Sequence, residues 1–527
     1  MKTPLGIRMH RLLWMPLRLE AARHIRRWVR AVERTPETQA RLLRRILDQT
    51  AETDFGRRFG LTQIRTIDDL RRALPIAGYE RISPFIERHK AGEEGALLPR
   101  GTRIHMFAMT SGTTGAPKYI PITDATMHDY REGWHIWGKH ALDDHLDAFG
   151  AKILQISSRM DEQATPSGIP AGAMSGFTAH AQRRLVQRYY VLPPEASRAG
   201  DTAAKYYLAC RLGLQDTRVM PITANPSTLL GLGRAMNERK EELLRDLFDG
   251  TLSPNLALDA ATRRLIEARL SPKPDLARAL EARARVSGHL YPKDAWELPL
   301  LGTWKGGTLS LYLRELPEYW GDAPVRDVGL IASEGRFSIP LQTPGSAGVL
   351  DVASTFFEFV PEDEIDSPQP TAILAHETEV GRRYFIILTT PAGLLRYNIG
   401  DVVQVVGRFG AAPVIEFLNK GQHVANLTGE KLTEFQVVSA VNAVVGELGL
   451  PVRNYALYPT WADVPYYTLL VEETAVPAAR APDLASAVDR ALRERNIEYE
   501  TKRAGGRLRA VRVQTIAPTP GAPTTPR

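Results

Sequence analysis

The chain has one cysteine, Cys210, in 527 residues. That excludes an internal disulfide framework and a cysteine-based zinc site, and it suits a reducing compartment, with the cytosol (a cytoplasmic location) as the expectation. No stretch approaches the run of about 20 apolar residues that a membrane span requires. Residues 12–17 are too short and too interrupted an apolar run for a signal peptide. The body of the chain also lacks an excess of either charge. The net charge of +7 is contributed entirely by residues 1–34, where nine basic side chains face only Glu20 and Glu33. A nucleic-acid partner is therefore not expected. Apolar residues make up 43% of the chain, which excludes disorder as its main theme, and the length predicts more than one domain.

Residues 1–34 read as a basic amphipathic N-terminal helix starting near Pro16. Leu17, Ala21, Ile25, Trp28 and Val32 share one face, and Arg23, Arg26, Arg27, Arg30 and Arg34 lie opposite. Docking of that apolar face on the chain's own core is the favoured reading over peripheral contact with an anionic membrane. Residues 38–48 and 67–73 follow as helical patterns. Short apolar runs at 153–157, 219–223, 328–332, 356–360 and 385–389 predict strands, and 238–248 and 262–270 predict helices between them. The alternation argues an α/β large domain over 35–418. A smaller α+β domain follows over 419–515. Its helix is marked by Val437, Val438, Val441, Val444, Val445 and Leu448, with strands expected at 452–458, 466–472 and 508–513 and a second helix at 484–495. Residues 516–527, with four prolines and no acid, predict a disordered tail.

The most specific feature is the loop between Phe107 and Lys118. Thr110, Ser111, Gly112, Thr113, Thr114 and Gly115 combine four hydroxyls with two glycines, and Ala116 and Pro117 separate them from the lysine. A glycine-rich turn can aim its N–H groups inward, and hydroxyls and an ammonium add donors, so the loop suits phosphate oxygens. The Gly-Lys-Ser/Thr ending of a Walker A loop is absent.

This loop resembles the signature of adenylate-forming enzymes of the luciferase and acyl-CoA ligase superfamily. Its continuation, Lys118-Tyr119-Ile120-Pro121-Ile122-Thr123, resembles one branch, the Gretchen Hagen three family of acyl acid–amido synthetases. In the wider superfamily a glycine commonly follows the lysine, where Tyr119 stands here. The resemblance extends over Lys205-Tyr206-Tyr207, Asn225-Pro226-Ser227-Thr228, Trp304-Lys305-Gly306-Gly307, Ala332-Ser333-Glu334-Gly335, Phe356-Phe357-Glu358-Phe359-Val360-Pro361, and the nine residues from Gly393 to Asp401 that contain Arg396 and Gly400.

The resemblance implies an α/β large N-terminal adenylate-forming domain, its β-sheets flanked by helices, with a small mobile α+β C-terminal domain. It implies ATP and Mg2+, with Lys118 and the 110–115 loop on the phosphates and Glu334 as the magnesium ligand. A lone carboxylate suits an ion that keeps most of its waters. Asp401 would accept the ribose hydroxyls, and Ser333 is expected beside the α-phosphate or the adenine. Arg396 either faces the phosphate or pairs with an acid. The hinge falls near Asn419, and Lys420 stands where the family usually has arginine, keeping charge but losing bidentate geometry. Lys502 resembles the lysine that the small domain delivers to the α-phosphate, against the alternative of a solvated Lys-Arg pair. Residues 168–176 would lie near the acyl acid.

The implied reaction adenylates a carboxylic acid and transfers the acyl group to an amino acid amine. An acyl-CoA ligase and a nucleotide-binding protein without turnover are the alternatives. His128, His135, His140 and His145 are spaced at intervals of 7, 5 and 5, which does not set neighbours on one helix face, so they argue no metal site. Cys210 is expected to pack against a helix.

Overall fold

The computed structural model describes residues 15–110, 117–182, 184–421, 424–425, 427–428, 430 and 432–517. Two compact units emerge. The first comprises residues up to Ile399 together with Val403–Phe417, and the second comprises Gly400–Val402 and the residues from Leu418 onward. The α/β class of the large domain and the α+β class of the small one are both observed.

In the first unit, the helix Met15–Glu33 lays its apolar side on the core, as its periodicity demands. Trp28 and Val32 are buried, and Ile25 and Val29 pack against the same cluster. The indole N–H of Trp28 donates to Asp351 Oδ1 at 3.0 Å, while Arg23, Arg26, Arg27, Arg30 and Arg34 are exposed. The helix is thus docked, with a solvated basic face. The expected residues 1–14 lie outside the described residues. Among the described residues no helix is long and apolar enough to cross a membrane.

The next helix, Thr35–Thr50, buries Leu42, Ile46 and Leu47 and carries Gln39 inward. That amide donates to the carbonyls of Val352 and Thr355 (2.7 and 2.8 Å) and accepts from the N–H of Phe357 (2.8 Å). It thereby satisfies the backbone where the buried strand Phe356–Pro361 begins.

That strand belongs to a seven-stranded sheet. Its spatial order is Ser338–Ile339, Gly348–Leu350, Ala412–Lys420, Tyr397–Phe409, Arg383–Thr389, Phe356–Pro361, Ile373–Leu374. A four-stranded sheet pairs Ile104–Thr110 antiparallel with Lys118–Thr123, and in parallel with Pro170–Gly172. A third region is parallel. Lys152–Leu154 pairs with Val219–Pro221, and Leu301–Gly302 pairs with Val325–Arg326. Helices flank these pairs, and Tyr207, Leu229 and Trp320 anchor a second core among them. The helix Pro226–Glu238 is followed by Lys240–Asp249, which is the helix expected at 238–248 with its start moved by two residues. Cys210 is buried, its Sγ facing Leu232 of the first of these, which is the packing role expected of it.

The second unit stacks the helices Glu434–Leu448 and Ala481–Arg495 on a three-stranded sheet of Tyr455–Thr460, Tyr466–Glu472 and Arg512–Ile516. The last strand starts four residues later than the 508–513 expected, because Leu508 is drawn in as a loop residue by the helix Ile497–Ala504 before the chain reaches the sheet. Of the expected tail, Ile516 closes this strand, Ala517 follows it, and residues 518–527 lie outside the described residues.

The helix Asp124–Asp144 organises the first unit. Thr123 caps it by accepting from the N–H of Thr126. Within it the half-buried Asp129 has its carboxyl pushed up to about 8, by burial first and then by the neighbouring charge of Asp351, against the pull of Arg45. An unfolded chain ionises this group near 3.8, so the stability it carries is present below that pH and is lost as pH rises toward 8. Asp129→Asn should therefore raise the melting temperature by a margin that is small near pH 4 and grows to a plateau near pH 8. A margin constant across thermal melts in that range would count against the assignment.

Candidate active site

Antiparallel pairing sets Thr110 opposite Lys118, so the phosphate loop expected from the sequence is the connection of a β-hairpin. Ser111, Gly112, Thr113, Thr114 and Gly115 lie outside the described residues; Thr110 and Lys118 sit half-buried at its two ends. Tyr119, in place of a glycine, is clamped. Its N–H donates to the Tyr79 hydroxyl at 2.9 Å, and Lys90 Nζ sits 3.7 Å from its ring centroid. Burial pushes the Tyr79 hydroxyl up to about 12, which keeps it neutral and able to donate in turn to the Tyr119 carbonyl at 3.3 Å. These contacts fix the strand immediately after Lys118.

Ser333 and Glu334 form the two-residue tip of a second hairpin, between Ile331–Ala332 and Gly335–Arg336. Glu334 is buried. The helix Asp124–Asp144 backs this hairpin. The Tyr130 hydroxyl donates to the Ala332 carbonyl, and its own ionisation is pushed up by burial and then by the charge of Glu334. Arg336 runs beside the same helix at Gly133, stacks 4.6 Å from the Trp134 ring and donates to Val328 O at 2.7 Å. Trp137 Nε1 donates to Asp327 O at 2.7 Å. The Trp304-Lys305 motif serves the same segment, since Trp304 donates to Gly329 O (2.8 Å) and the Lys305 N–H to Asp327 (2.6 Å). Asn225 of the central motif accepts from Ser227 N at 2.9 Å and caps a helix whose first residue is Pro226.

Arg396 is paired with an acid in this structure. Its Nε donates to Glu358 Oε2 (2.7 Å), its Nη2 to Glu358 Oε1 (3.2 Å) and its Nη1 to Leu74 O (2.7 Å). That is one of the two geometries expected of it. Both side chains are buried, Arg71 adds a 3.1 Å contact to Glu358, and Arg81 donates to the carbonyls of Leu395 and Arg396. Arg396 is also the one non-glycine residue with a left-handed backbone among the described residues, at φ 44°. The sequence offered a signal for this network. Glu358 interrupts an otherwise apolar, wholly buried strand, and a buried carboxylate demands a cation. Arg71, Arg81, Tyr130 and Gly133 had no comparable mark.

In the second unit, Asp401 is buried and accepts from Lys420 Nζ. Burial pushes the Asp401 carboxyl up, against the charge and hydrogen bond of Lys420. Two residues expected in separate roles are therefore one ion pair. The turn is closed by Gly421 N–H to Gly400 O at 2.7 Å, and Asn419 is buried beside it. Lys502 is half-buried on the helix Ile497–Ala504. Its neighbour Arg503 is held by Asp489 (2.9 Å) and Leu508 O (2.7 Å), so these two are not an equivalent solvated pair.

Three family models match the chain in order: the GH3 family N-terminal domain over residues 24–325, its central domain over 348–420 and its C-terminal domain over 435–520. The chain belongs to the GH3 family. Its relatives include the indole-3-acetic acid-amido synthetase GH3.3 of Arabidopsis thaliana, 26% identical over 83% of this chain and 78% of that protein. They also include the probable indole-3-acetic acid-amido synthetase GH3.1 of Oryza sativa subsp. japonica, 26% identical over 89% and 80%. A solved structure of AtGH3.15 acyl acid amido synthetase in complex with 2,4-DB superposes with a TM-score of 0.82 at 19% identity, covering 94% of this chain and 89% of that one, which shows the shared GH3 fold.

Two substitutions test how the GH3 motifs are held. A methyl at Gly133 would overlap Arg336 Cδ, so Gly133→Ala should cost about 1–3 kcal/mol in urea unfolding by overpacking. An unchanged midpoint would show that Arg336 yields. At Arg396, both Gly and Ala lose the ion pair, but only Ala keeps the left-handed strain. Arg396→Gly should therefore be the more stable of the two by about 1 kcal/mol, and the reverse order would refute the strain.

Proposed function

We propose that this GH3 protein is an ATP-dependent acyl acid–amido synthetase. The observation that carries the reading is coverage: all three GH3 domains are present in order, and relatives matched over most of their length are amido synthetases. In the first half-reaction a carboxylate oxygen attacks the α-phosphorus of ATP, and the bond to pyrophosphate breaks. In the second, an amino acid amine attacks the acyl carbon of the acyl-adenylate, losing a proton and expelling AMP.

The first step brings two anions together, so its demand is for fixed donors around the phosphates. Lys118 and Thr110, on paired strands, would supply a cation and a hydroxyl at the mouth of the 111–115 loop, whose hydroxyls and N–H groups add to them. Glu334 at a rigid hairpin tip fits Mg2+ as a single carboxylate beside hydroxyl-bearing Ser333, and the ion would neutralise phosphate charge there. Asp401 would accept the ribose hydroxyls. Lys420 positions that carboxylate, and Arg396 positions the strand leading to it. Lys502 is the cation that the small unit would supply to the α-phosphate, with Arg503 fixed by Asp489 as its neighbour. The boundaries 35–418 and 419–515 are the working division, with Asn419 at the hinge.

The test is carboxylate-dependent ATP–pyrophosphate exchange over a broad acid panel, then amide formation with amino acids, with coenzyme A as the competing acceptor. Exchange with amide as product is expected. Absence of exchange with every acid, or a thioester as product, would overturn the reading. Lys118→Ala and Glu334→Ala should each lower exchange by about 100-fold or more, while wild-type rates in both would remove their assigned roles.

A further inference from the structure

The three histidines of helix Asp124–Asp144, with His145 at its C-cap, made no metal site by their own spacing, but the fold adds a ligand from elsewhere. His24, on helix Met15–Glu33, lies against Glu132 and His135, and one ligand atom from each of the three falls within 4.8 Å of the others. His24 Nδ1 is 2.6 Å from Glu132 Oε2, and the two imidazole centroids are 5.4 Å apart. All three side chains are half-buried.

We propose that His24, Glu132 and His135 form a divalent metal site, with Zn2+ as its ion, that ties the N-terminal helix to helix Asp124–Asp144. Two imidazoles and one carboxylate are the borderline donors zinc favours, and three protein ligands leave a fourth position for water. Zinc–ligand bonds near 2.0–2.1 Å set tetrahedral donors roughly 3.3 Å apart. From 2.6 Å the His24–Glu132 pair therefore opens slightly, and from at most 4.8 Å the wider pairs close by no more than about 1.5 Å, within reach of side-chain rotation on two fixed helices. The ion replaces the His24–Glu132 hydrogen bond.

The position assigns a structural role. Glu132 and His135 are one turn apart on one face of their helix. At 100° per residue that face is turned roughly 180° from Tyr130, Gly133 and Trp137, which back the hairpin of Ser333 and Glu334. The ion thus joins the outer face of this helix to a segment already docked through Trp28 and Asp351. It is independent of adenylation, and its test does not pass through activity.

The full-length protein, stripped with a chelator and dialysed, is titrated with Zn2+ and with Co2+. The expected result is one tightly bound equivalent, a Co2+ absorption spectrum of four-coordinate intensity, and a melting temperature raised by Zn2+. His24→Gln, Glu132→Gln and His135→Gln, each checked by circular dichroism for a native fold, should weaken binding at least tenfold and abolish the thermal shift. If a variant fails to fold, the other two carry the comparison. If the wild type binds neither ion, or if the folded variants keep the wild-type equivalent and spectrum, the site is refuted.

Discussion

The buried ion pair between Arg396 and Glu358 is the constraint on which much of the large unit depends. Glu358 sits in a strand with no solvent on either face, and Arg396 sits in a left-handed backbone conformation that its side chain alone would not choose. Neither is tolerable by itself, since a lone buried charge costs several kcal/mol. Together, with Arg71, Arg81 and the Leu74 carbonyl, they lock the turn at Gly393–Arg396 to the sheet and to the segment around residues 71–81. The chain then runs straight on to Asp401, the carboxylate proposed for the ribose hydroxyls.

Helix Asp124–Asp144 does the same work for the other two motifs. It starts where the Lys118 strand ends, and its inner face meets the hairpin of Ser333 and Glu334 through a hydroxyl, a glycine and two tryptophans. The Lys118 strand and the Glu334 turn are over 200 residues apart in sequence. One rigid helix fixes both, which is how side chains from distant strands keep a common geometry. Its outer face receives the N-terminal helix, so the basic segment is a structural part of the large unit. All of the chain's net charge resides in a segment that carries none of the adenylation motifs.

The large-unit and small-unit classes and most of their elements were readable from periodicity. The stripe beginning at Val437 is the helix Glu434–Leu448, and residues 67–73 and 466–472 form the helix and strand expected. The miss at residues 508–513 occurred where a tertiary contact set the start of the element. The site was legible as motifs, because glycines, hydroxyls and lone charges in fixed order are local in sequence. The partners were not. Pairing Arg396 with Glu358, and Lys420 with Asp401, requires knowing which strands lie side by side.

The sequence by itself determined the amphipathic faces, through residue types at short spacing, and its motifs carried the resemblance that implied the family and the two-part chemistry. Only the tertiary structure decided which charges meet. It paired Arg396 with Glu358 and Lys420 with Asp401. It also set His24 beside Glu132 and His135 across 108 residues. The physical reason is that ion pairs and ligand clusters depend on distance in space, and a one-dimensional pattern carries distance only along a single helix or strand.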